Sequence, residues 1–324
     1  MKHFDKKISL ILICSLCISL LSGCSGEVMI PYAGMTYSSS FRLLNDDAGK
    51  AKPFAQDLCV GGNDVALEGY AIEQVSAAGL FDLNGSEIVY AENMHEKLYP
   101  ASITKLLTAL VAIKYGRLDQ VLTATNAVNI TEPGAALCGI KAGDTMTLEQ
   151  ALHLLLIKSG NDVANLIAEN IAGSVEDFIT LMNEEAIKLG ATNSHFMNAH
   201  GLHHTDHYTT VYDVYLIFKE AVKYEAITQI INMSSYSTTY KDKYGNNKNI
   251  SVSTTNAYFK QLYVAPQNVT ILGGKTGTTN EAGSCLALYV KDISGNPYIS
   301  VILHGNTKDD LYIQMKQMLE QIHR

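Results

Sequence analysis

Strand-like segments stand near both ends of the globular part of this sequence, and a long helical stretch separates them. Near its start, residues 77–82 and 87–91 flank Asn84-Gly85, the two-residue signal typical of a β-hairpin. Near its end, residues 285–290 and 298–303 form apolar runs on either side of a Ser-Gly-Asn-Pro turn. This order predicts one antiparallel sheet built from both ends of the chain, with the helical stretch as an insertion.

The middle of the sequence, from residue 102 to about 223, has the periodicity of helices. Leucines recur at helical spacing over residues 148–157, and further helical runs cover 163–172 and about 175–189. The next helix begins at Thr210, where a threonine followed three residues later by an aspartate is typical of a capping box. The insertion is therefore predicted to be helical.

The remaining segments complete the prediction of the fold. Residues 231–256 are rich in Ser, Thr and Tyr around a Tyr-Gly-Asn-Asn turn, which predicts extended structure. We predict an α/β (α+β) fold, in which an antiparallel β-sheet is flanked by helices and carries an inserted all-helical lobe. The last helix is amphipathic, and its apolar side carries Leu311, Met315, Met318, Leu319 and Ile322.

The N-terminus has the pattern of an export signal. Three lysines precede an apolar stretch, residues 8–21, whose 14 residues are too few to span a bilayer comfortably. The stretch ends in Leu-Ser-Gly-Cys24, which resembles a bacterial lipoprotein processing site, where the cysteine is acylated and becomes the first residue of the mature chain. We predict a lipoprotein-type signal peptide at residues 1–24 and an extracytoplasmic protein anchored to the membrane by lipid on Cys24. A plain secretory signal, cut nearby, is the alternative.

The sequence after the signal divides into a tether and a folded domain. Residues 25–70 have no sustained period and are rich in Ser, Gly, Asp and Asn, which predicts a partly disordered tether, and residues 71–324 follow as one domain. The net charge of −8 argues against a nucleic-acid partner. Three cysteines lie beyond the signal, and their wide spacing predicts neither a disulfide framework nor a zinc site. They are Cys59, Cys138 and Cys285.

Ser102 and Lys105 stand in the string Tyr-Pro-Ala-Ser-Ile-Thr-Lys, and the apolar run behind it predicts the first turn of a buried helix. Three residues are nearly one helical turn, so the lysine lies over the serine on the same face. A serine hydroxyl becomes a nucleophile when a base takes its proton, and a lysine amine is such a base only if burial or a neighbouring cation lowers its pKa. Taken alone, the pair more often belongs to an ordinary amphipathic helix with a surface serine and lysine.

Two further strings change that interpretation. Ser159-Gly-Asn161 falls in the break between two predicted helices, and Lys275-Thr-Gly277 lies at the edge of a strand. In this order after Ser-x-x-Lys, such strings mark penicillin-binding proteins and class A β-lactamases. The sequence resembles the D-alanyl-D-alanine carboxypeptidases, low-molecular-weight penicillin-binding proteins of the β-lactamase/transpeptidase-like superfamily, over roughly residues 71–324. The likeness also includes longer strings at residues 99–110, 158–162, 195–202 and 274–283.

This resemblance implies a catalytic domain that removes the terminal D-alanine from peptidoglycan stem peptides ending in D-Ala-D-Ala. Ser102 would attack the scissile amide, Lys105 would accept the hydroxyl proton, and Ser159 would pass a proton to the departing nitrogen. A β-lactam, which mimics that peptide end, would acylate Ser102 and leave slowly. The resemblance implies no cofactor.

The resemblance also assigns the residues that bind the substrate, Asn161, Lys275, Thr276, Gly277 and Thr278. Lys275 and the Thr276 hydroxyl would hold the terminal carboxylate, and Lys275 would be the second cation that keeps the lysine base neutral. Asn161 would accept a hydrogen bond from that lysine and donate one to the substrate amide. Gly277 would leave room for the substrate backbone at the strand edge, and the backbone N–H groups of Ser102 and Thr278 would stabilise the oxyanion. Several members have His directly after Lys-Thr-Gly, so Thr278 bears on rate and pH optimum rather than on reaction type.

Three other interpretations are compatible with parts of the sequence. A metal site is suggested by five histidines, but their irregular spacing and the lack of an H-E-x-x-H string predict none. A class A β-lactamase needs a glutamate in an E-x-x-L-N string, and none follows Ser159. A non-catalytic penicillin- or wall-binding sensor would keep the cleft without turnover. The histidines are His195, His200, His203, His204 and His207.

Overall fold

Residues 57–322 are described by this structure, a computed structural model, and they form nine strands and seven helices. The strands are β1 (Val75–Asp82), β2 (Glu87–Glu92), β3 (Val121–Thr123), β4 (Thr145–Thr147), β5 (Ser235–Lys241), β6 (Asn247–Ser253), β7 (Val269–Thr279), β8 (Gly283–Asp292) and β9 (Pro297–Gly305). The helices are α1 (Lys105–Tyr115), α2 (Leu148–His153), α3 (Asn161–Ala172), α4 (Val175–Lys188), α5 (Val211–Ala221), α6 (Glu225–Ile231) and α7 (Lys308–Leu319).

Both ends of the described chain meet in a five-stranded antiparallel sheet of order β2-β1-β9-β8-β7. The first strand, β1, and the last, β9, are neighbours within it, with Ala77 opposite Leu303. A hairpin joins β1 to β2, and in its loop the Asp82 carboxylate accepts hydrogen bonds from the N–H groups of Asn84 and Gly85. The predicted sheet, built from both ends of the sequence, is confirmed.

Helices cover both faces of this sheet, because its strands carry apolar side chains on both sides. Along β8, Cys285 and Ala287 point into the larger core around α1, whereas Leu286 and Leu288 point into a smaller core beneath α7. Full burial of one leucine side chain contributes about 1.5–3 kcal/mol to the free energy of unfolding. The predicted apolar side of the last helix is confirmed, because all five of its residues are buried in the smaller core. They are Leu311, Met315, Met318, Leu319 and Ile322.

The helices of the inserted lobe begin close to where the sequence predicts them. The run at 148–157 is α2 followed by a wider π-helical turn, Leu154–Lys158, and α3 and α4 follow in order. Helix α5 begins after Thr210, whose hydroxyl accepts the N–H of Asp213 at 3.0 Å. The Asp213 carboxylate instead accepts hydrogen bonds from the segment at 193–194, so only half of the predicted capping box forms.

The lobe is not all-helical as predicted, because it also contains a second sheet of order β3-β4-β5-β6. The hairpin of β5 and β6 lies in the segment predicted to be extended, whereas β3 and β4 lie in the stretch predicted to be helical. Each of these two strands has only three residues, too few to show a period. Their link to the hairpin is the pair Thr145 and Lys241, which are far apart in the sequence.

The domain begins before residue 71, the predicted boundary. Cys59 is fully buried, and its N–H donates to the Tyr215 hydroxyl at 2.9 Å. Val65 exchanges two backbone hydrogen bonds of 2.9 Å with Ala91. These contacts depend on residues distant in the sequence, which a composition argument does not detect. The predicted signal peptide, its lipidated cysteine Cys24 and the first part of the tether lie outside the described residues. Between residues 57 and 322, no helix is both long enough and apolar enough to cross a membrane.

Candidate active site

The start of α1 brings Ser102 and Lys105 together as predicted. Pro100 precedes a short 3₁₀ turn, Ala101–Thr104, and α1 begins at Lys105. This turn places the Lys105 Nζ atom 2.8 Å from the Ser102 Oγ atom. The hydroxyl is partly exposed to solvent, whereas the amine is fully buried beneath it.

The surroundings of Lys105 favour a neutral amine. Burial lowers its pKa well below the usual value, and the positive charge of Lys275 lowers it further. The Nζ atom also donates to the Asn161 Oδ1 atom at 2.7 Å and to the carbonyl oxygen of His200. A neutral amine has two hydrogens and one lone pair, so these two acceptors leave the lone pair for the Ser102 hydroxyl. The geometry therefore provides a base for this serine.

A second hydroxyl and a second lysine stand opposite this pair. Ser159 ends the π-helical turn in a left-handed conformation, with φ 68° and ψ 33°, and is 5% exposed. The Nζ atom of Lys275, on β7, lies 2.9 Å from the Ser159 Oγ atom and 2.8 Å from the carbonyl oxygen of Thr276. Lys275 is also buried, which lowers its pKa to about 7. At neutral pH this lysine can therefore both give and take a proton.

A cavity of about 250 Å³ opens over these groups between the lobe and the edge strand β7. Ser102 and Ser159 line it from the lobe side. The strand contributes Thr276, Gly277 and Thr278. The three other predicted site residues do not line the cavity but lie buried directly beneath it, each bonded to a serine or to the lysine base. They are Lys105, Asn161 and Lys275.

Gly277 is needed for a reason other than the one expected. We expected the missing side chain to leave room for a substrate, but protein atoms already occupy that space. A Cβ atom at Gly277 would lie 2.8 Å from the Pro100 carbonyl oxygen and 2.9 Å from the Ser102 nitrogen. The glycine therefore lets β7 pack directly against the turn that carries the nucleophile. This contact also brings the Ser102 N–H close to the strand that carries Thr278, the other expected oxyanion donor.

Gly277→Ala is expected to lower the rate of acylation by a β-lactam about 10- to 100-fold, because the added methyl group pushes the Ser102 turn away from β7. The control is Gly62→Ala, since a Cβ atom at Gly62 meets nothing within 4 Å. Stopped-flow acylation and thermal unfolding measure both proteins. An unchanged acylation rate for Gly277→Ala would show that the contact between strand and turn is not needed for activity.

The loop at residues 195–208 contains functional groups that the sequence did not reveal. The carbonyl oxygen of His200 accepts a hydrogen bond from Lys105, and the Asn198 Oδ1 atom holds this loop through the N–H groups of His200 and Gly201. Gly201 has φ +86°, and a Cβ atom there would lie 1.9 Å from the Ala101 carbonyl oxygen. In the sequence, the string His-Gly-Leu at 200–202 is informative only as part of the resemblance.

Two histidines of this loop are buried below the cleft. His200 and His207 are 8% and 2% exposed, and burial lowers the pKa of each to about 3. His207 bonds through its Nε2 atom to the Thr104 hydroxyl at 2.8 Å, next to the catalytic turn. Among residues 57–322, no group of three or more His, Cys, Asp or Glu side chains is arranged to hold a metal ion.

A buried carboxylate fixes the other wall of the cavity. Asp162, 1% exposed, accepts hydrogen bonds from the N–H groups of Cys138, Gly139 and Ile140 at 2.7–3.0 Å. The neighbouring Asn161 N–H donates to the carbonyl oxygen of residue 136, which lines the cavity. The loop at residues 136–140 is thereby held against the turn that carries Ser159 and Asn161. The sequence alone contains no signal for this contact.

Comparison with protein families gives an independent description of this chain. The model of peptidase family S11, described as D-alanyl-D-alanine carboxypeptidase, matches residues 69–307. D-alanyl-D-alanine carboxypeptidase DacF of Bacillus subtilis (strain 168) is 33% identical over 256 residues, which are 76% of this chain and 61% of the relative. DacC of Escherichia coli (strain K12) is 30% identical over 250 residues, 74% of this chain and 59% of the relative. The chain thus spans about 60% of the length of these relatives.

Solved structures share the fold. The crystal structure of D-alanyl-D-alanine carboxypeptidase from Mycobacterium tuberculosis H37Rv superposes with a TM-score of 0.68 at 26% identity and covers 80% of this chain and 95% of its own. Streptomyces K15 DD-transpeptidase superposes with a TM-score of 0.71 at 22% identity and covers 79% of this chain and 98% of its own. The predicted architecture, a transpeptidase-like sheet with an inserted lobe, is confirmed.

Proposed function

The chain belongs to the D-alanyl-D-alanine carboxypeptidase family, and from this premise we propose that it removes the terminal D-alanine from peptidoglycan stem peptides ending in D-Ala-D-Ala. One observation carries the proposal: a partly exposed serine hydroxyl lies 2.8 Å from a fully buried lysine amine, at the base of an open cavity. Such a pair is suited to acyl transfer, because the amine can take the hydroxyl proton while the oxygen attacks a carbonyl carbon.

In the proposed reaction, the Ser102 Oγ atom attacks the amide between the two D-alanines, and its proton passes to the Nζ atom of Lys105. The backbone N–H groups of Ser102 and Thr278 stabilise the negative charge on the carbonyl oxygen. Ser159 gives its proton to the departing nitrogen and regains one from Lys275 at 2.9 Å. Lys105 takes up the proton of Ser102, and Lys275 supplies, through Ser159, the proton that the departing nitrogen receives. The acylation step therefore releases no proton to solvent. Water then hydrolyses the ester and restores Ser102.

The same chemistry accounts for the proposed inhibition by β-lactams, whose strained amide acylates Ser102. Rapid release of that adduct, as in a class A β-lactamase, requires a carboxylate to activate water near the ester. Within the described part of the chain, none of the residues that line the cavity is Asp or Glu. A slow-leaving penicillin adduct is therefore favoured over β-lactamase activity.

The test combines two measurements on the purified protein. D-alanine release is followed from a peptide ending in D-Ala-D-Ala, with the D-Ala-L-Ala peptide as a stereochemical control. Mass spectrometry after exposure to labelled penicillin locates the adduct, which is expected on the peptide that contains Ser102. An adduct without D-alanine release would indicate a sensor, and rapid penicillin turnover without an accumulated adduct would indicate a β-lactamase.

The proposed site of action is the outer face of the bacterial cell membrane, where lipid on Cys24 would anchor the enzyme beside its peptidoglycan substrate. The sequence pattern Leu-Ser-Gly-Cys at 21–24 supports this proposal. Metabolic labelling with a palmitate analogue tests it, because label is expected on the parent and not on Cys24→Ser. Equal labelling of both proteins, or of neither, would contradict it.

A further inference from the structure

The peptide bond between Ala101 and Ser102 is enclosed by protein on both sides. Its N–H group is one of the two expected oxyanion donors, and the nitrogen lies beside Gly277 of β7, where an added Cβ atom would be 2.9 Å away. Its carbonyl oxygen faces the loop at residues 195–208, where a Cβ atom at Gly201 would be 1.9 Å away. The C=O and N–H groups of a planar trans peptide point in opposite directions. A contact that fixes the Ala101 carbonyl therefore also fixes the direction of the Ser102 N–H.

The backbone of Ala101 has a conformation that needs such a contact. Its φ angle is +46°, in the left-handed region, although the residue is not glycine and is only 2% exposed. The Cβ atom of an L-residue is crowded in this region, so the conformation persists only where the surrounding structure holds it. Without support, the turn would relax and carry the Ser102 N–H away from its direction.

The Thr104 hydroxyl contacts the Ala101 carbonyl directly. Thr104 is 2% exposed, and its Oγ1 atom donates to the Ala101 carbonyl oxygen at 2.8 Å. The Nε2 atom of His207 lies 2.8 Å from the same Oγ1 atom. A hydroxyl has only one hydrogen, so Thr104 must accept a hydrogen bond from this nitrogen while it donates to the carbonyl.

The second nitrogen of His207 leads to the same tautomer independently. The backbone N–H of Met197 donates to the Nδ1 atom at 3.1 Å, so Nδ1 carries no hydrogen. The hydrogen of the neutral imidazole is then on Nε2, the atom that faces Thr104. One directed chain of hydrogen bonds thus runs from the Met197 N–H through the imidazole and the Thr104 hydroxyl to the Ala101 carbonyl.

We propose that His207 and Thr104 are positioning residues that direct the Ser102 N–H at the oxyanion, acting through the carbonyl of the same peptide unit. Neither side chain lines the catalytic cavity, so neither is placed to touch a substrate. The hydrogen bond to the carbonyl also polarises the peptide and makes its N–H a stronger donor. This inference rests on the proposed function, because it assigns both residues to the acyl-transfer step.

The first test replaces the Thr104 hydroxyl by a methyl group of nearly the same shape. For Thr104→Val we expect the rate constant of acylation by benzylpenicillin to fall about 10- to 100-fold, with the preceding binding constant unchanged, because an oxyanion donor is misdirected. Thr104→Ser keeps the hydroxyl and should acylate at close to the parental rate. The matched control is Thr210→Val, at a threonine that is also fully buried. It removes the N-cap of α5 and should lower the melting temperature without slowing acylation.

Two substitutions of His207 separate the two ends of its ring. The amide of His207→Asn reaches the position of Nδ1 and can accept from Met197, whereas the amide of His207→Gln reaches the position of Nε2 and can donate to Thr104. Both variants lose the edge contact of the ring with Phe196, so both should lose stability. We expect His207→Asn to acylate as slowly as Thr104→Val and His207→Gln to stay close to the parent. Combining His207→Asn with Thr104→Val should cause no further loss, because both changes break one chain.

The ester carbonyl of the acyl-enzyme reports the oxyanion donors directly. Infrared spectra are recorded of the adduct formed with benzylpenicillin that carries ¹³C at its β-lactam carbonyl. In Thr104→Val and His207→Asn the ester band is expected at higher wavenumber than in the parent, because the carbonyl accepts weaker hydrogen bonds. If the parent releases no D-alanine but the band moves in these variants, the proposed function fails and the positioning role stands. If the parent releases D-alanine but the band does not move, or if His207→Asn and His207→Gln acylate equally fast, the positioning role is overturned and the proposed function stands.

Discussion

Ser102→Ala is expected to abolish D-alanine release and penicillin acylation together, with a loss on the order of 10⁴-fold or more. The reason is that one oxygen atom forms the ester in both reactions, and it is the one that faces the Lys105 amine at 2.8 Å. Ser159 cannot replace it, because its hydroxyl is bonded to Lys275 and is 5% exposed. D-alanine release and mass spectrometry of the penicillin adduct measure the two losses.

The fold is expected to survive this change. Lys105 keeps two acceptors, Asn161 and the His200 carbonyl, so the lost hydroxyl leaves no buried donor without a partner. The melting temperature should therefore move by only a few degrees. Ser237→Ala, at an exposed serine of β5, is the matched control and should retain full activity. Release of D-alanine at the parental rate by a folded Ser102→Ala protein would exclude an acyl-enzyme on this residue.

The parts of the fold that the sequence predicts are those with strong local patterns. The β1–β2 hairpin has its Asn-Gly signal, and α7 has an apolar side with helical spacing. The parts that escaped prediction depend on contacts between distant residues. Strand β3 has three residues and no visible period, and Cys59 is held in the core by Asp82 and by Tyr212 and Tyr215 of α5, which are distant in the sequence.

In the candidate site, too, the groups with a local sequence signal are predicted, and those that depend on contacts between distant residues are not. Ser102, Lys105 and Ser159 are visible in the sequence because side chains carry their chemistry and short motifs fix their spacing. The His200 carbonyl oxygen is not visible, because every residue has a carbonyl group and only the folded loop directs this one at Lys105. The close packing at Gly277 is not visible in the sequence for a similar reason, because its neighbour is a turn far away along the chain.

Lys105→Met is expected to lower the rate of acylation on the order of 10³-fold, because Ser102 loses the base that takes its proton. Methionine has nearly the length of lysine and suits a fully buried position, so the change removes the amine with little loss of packing. Stopped-flow acylation by penicillin measures the effect. Lys188→Met, at an exposed position on α4, removes a lysine without touching the site and should acylate at the parental rate.

The same variant should change how the free energy of unfolding depends on pH. In the folded protein the pKa of Lys105 is held well below its usual value by burial and by Lys275. In the unfolded chain it returns to about 10.4. Between these two values the unfolded state binds one more proton than the folded state, so the contribution of Lys105 to stability rises with pH, by about 1.4 kcal/mol per unit. At pH values below the pKa of Lys105 in the folded protein, the folded state must bury a charged lysine, and the destabilising effect of Lys105 is then fully present.

The parent should therefore gain stability relative to Lys105→Met as the pH rises from 8 to 10. The buried thiols, such as Cys59 with a pKa raised to about 11, oppose this slope in each protein, but they are common to both and cancel in the difference. Urea unfolding at several pH values gives the two free energies. A difference that does not vary with pH would mean that Lys105 is charged when folded, and a charged lysine could not act as the base for Ser102.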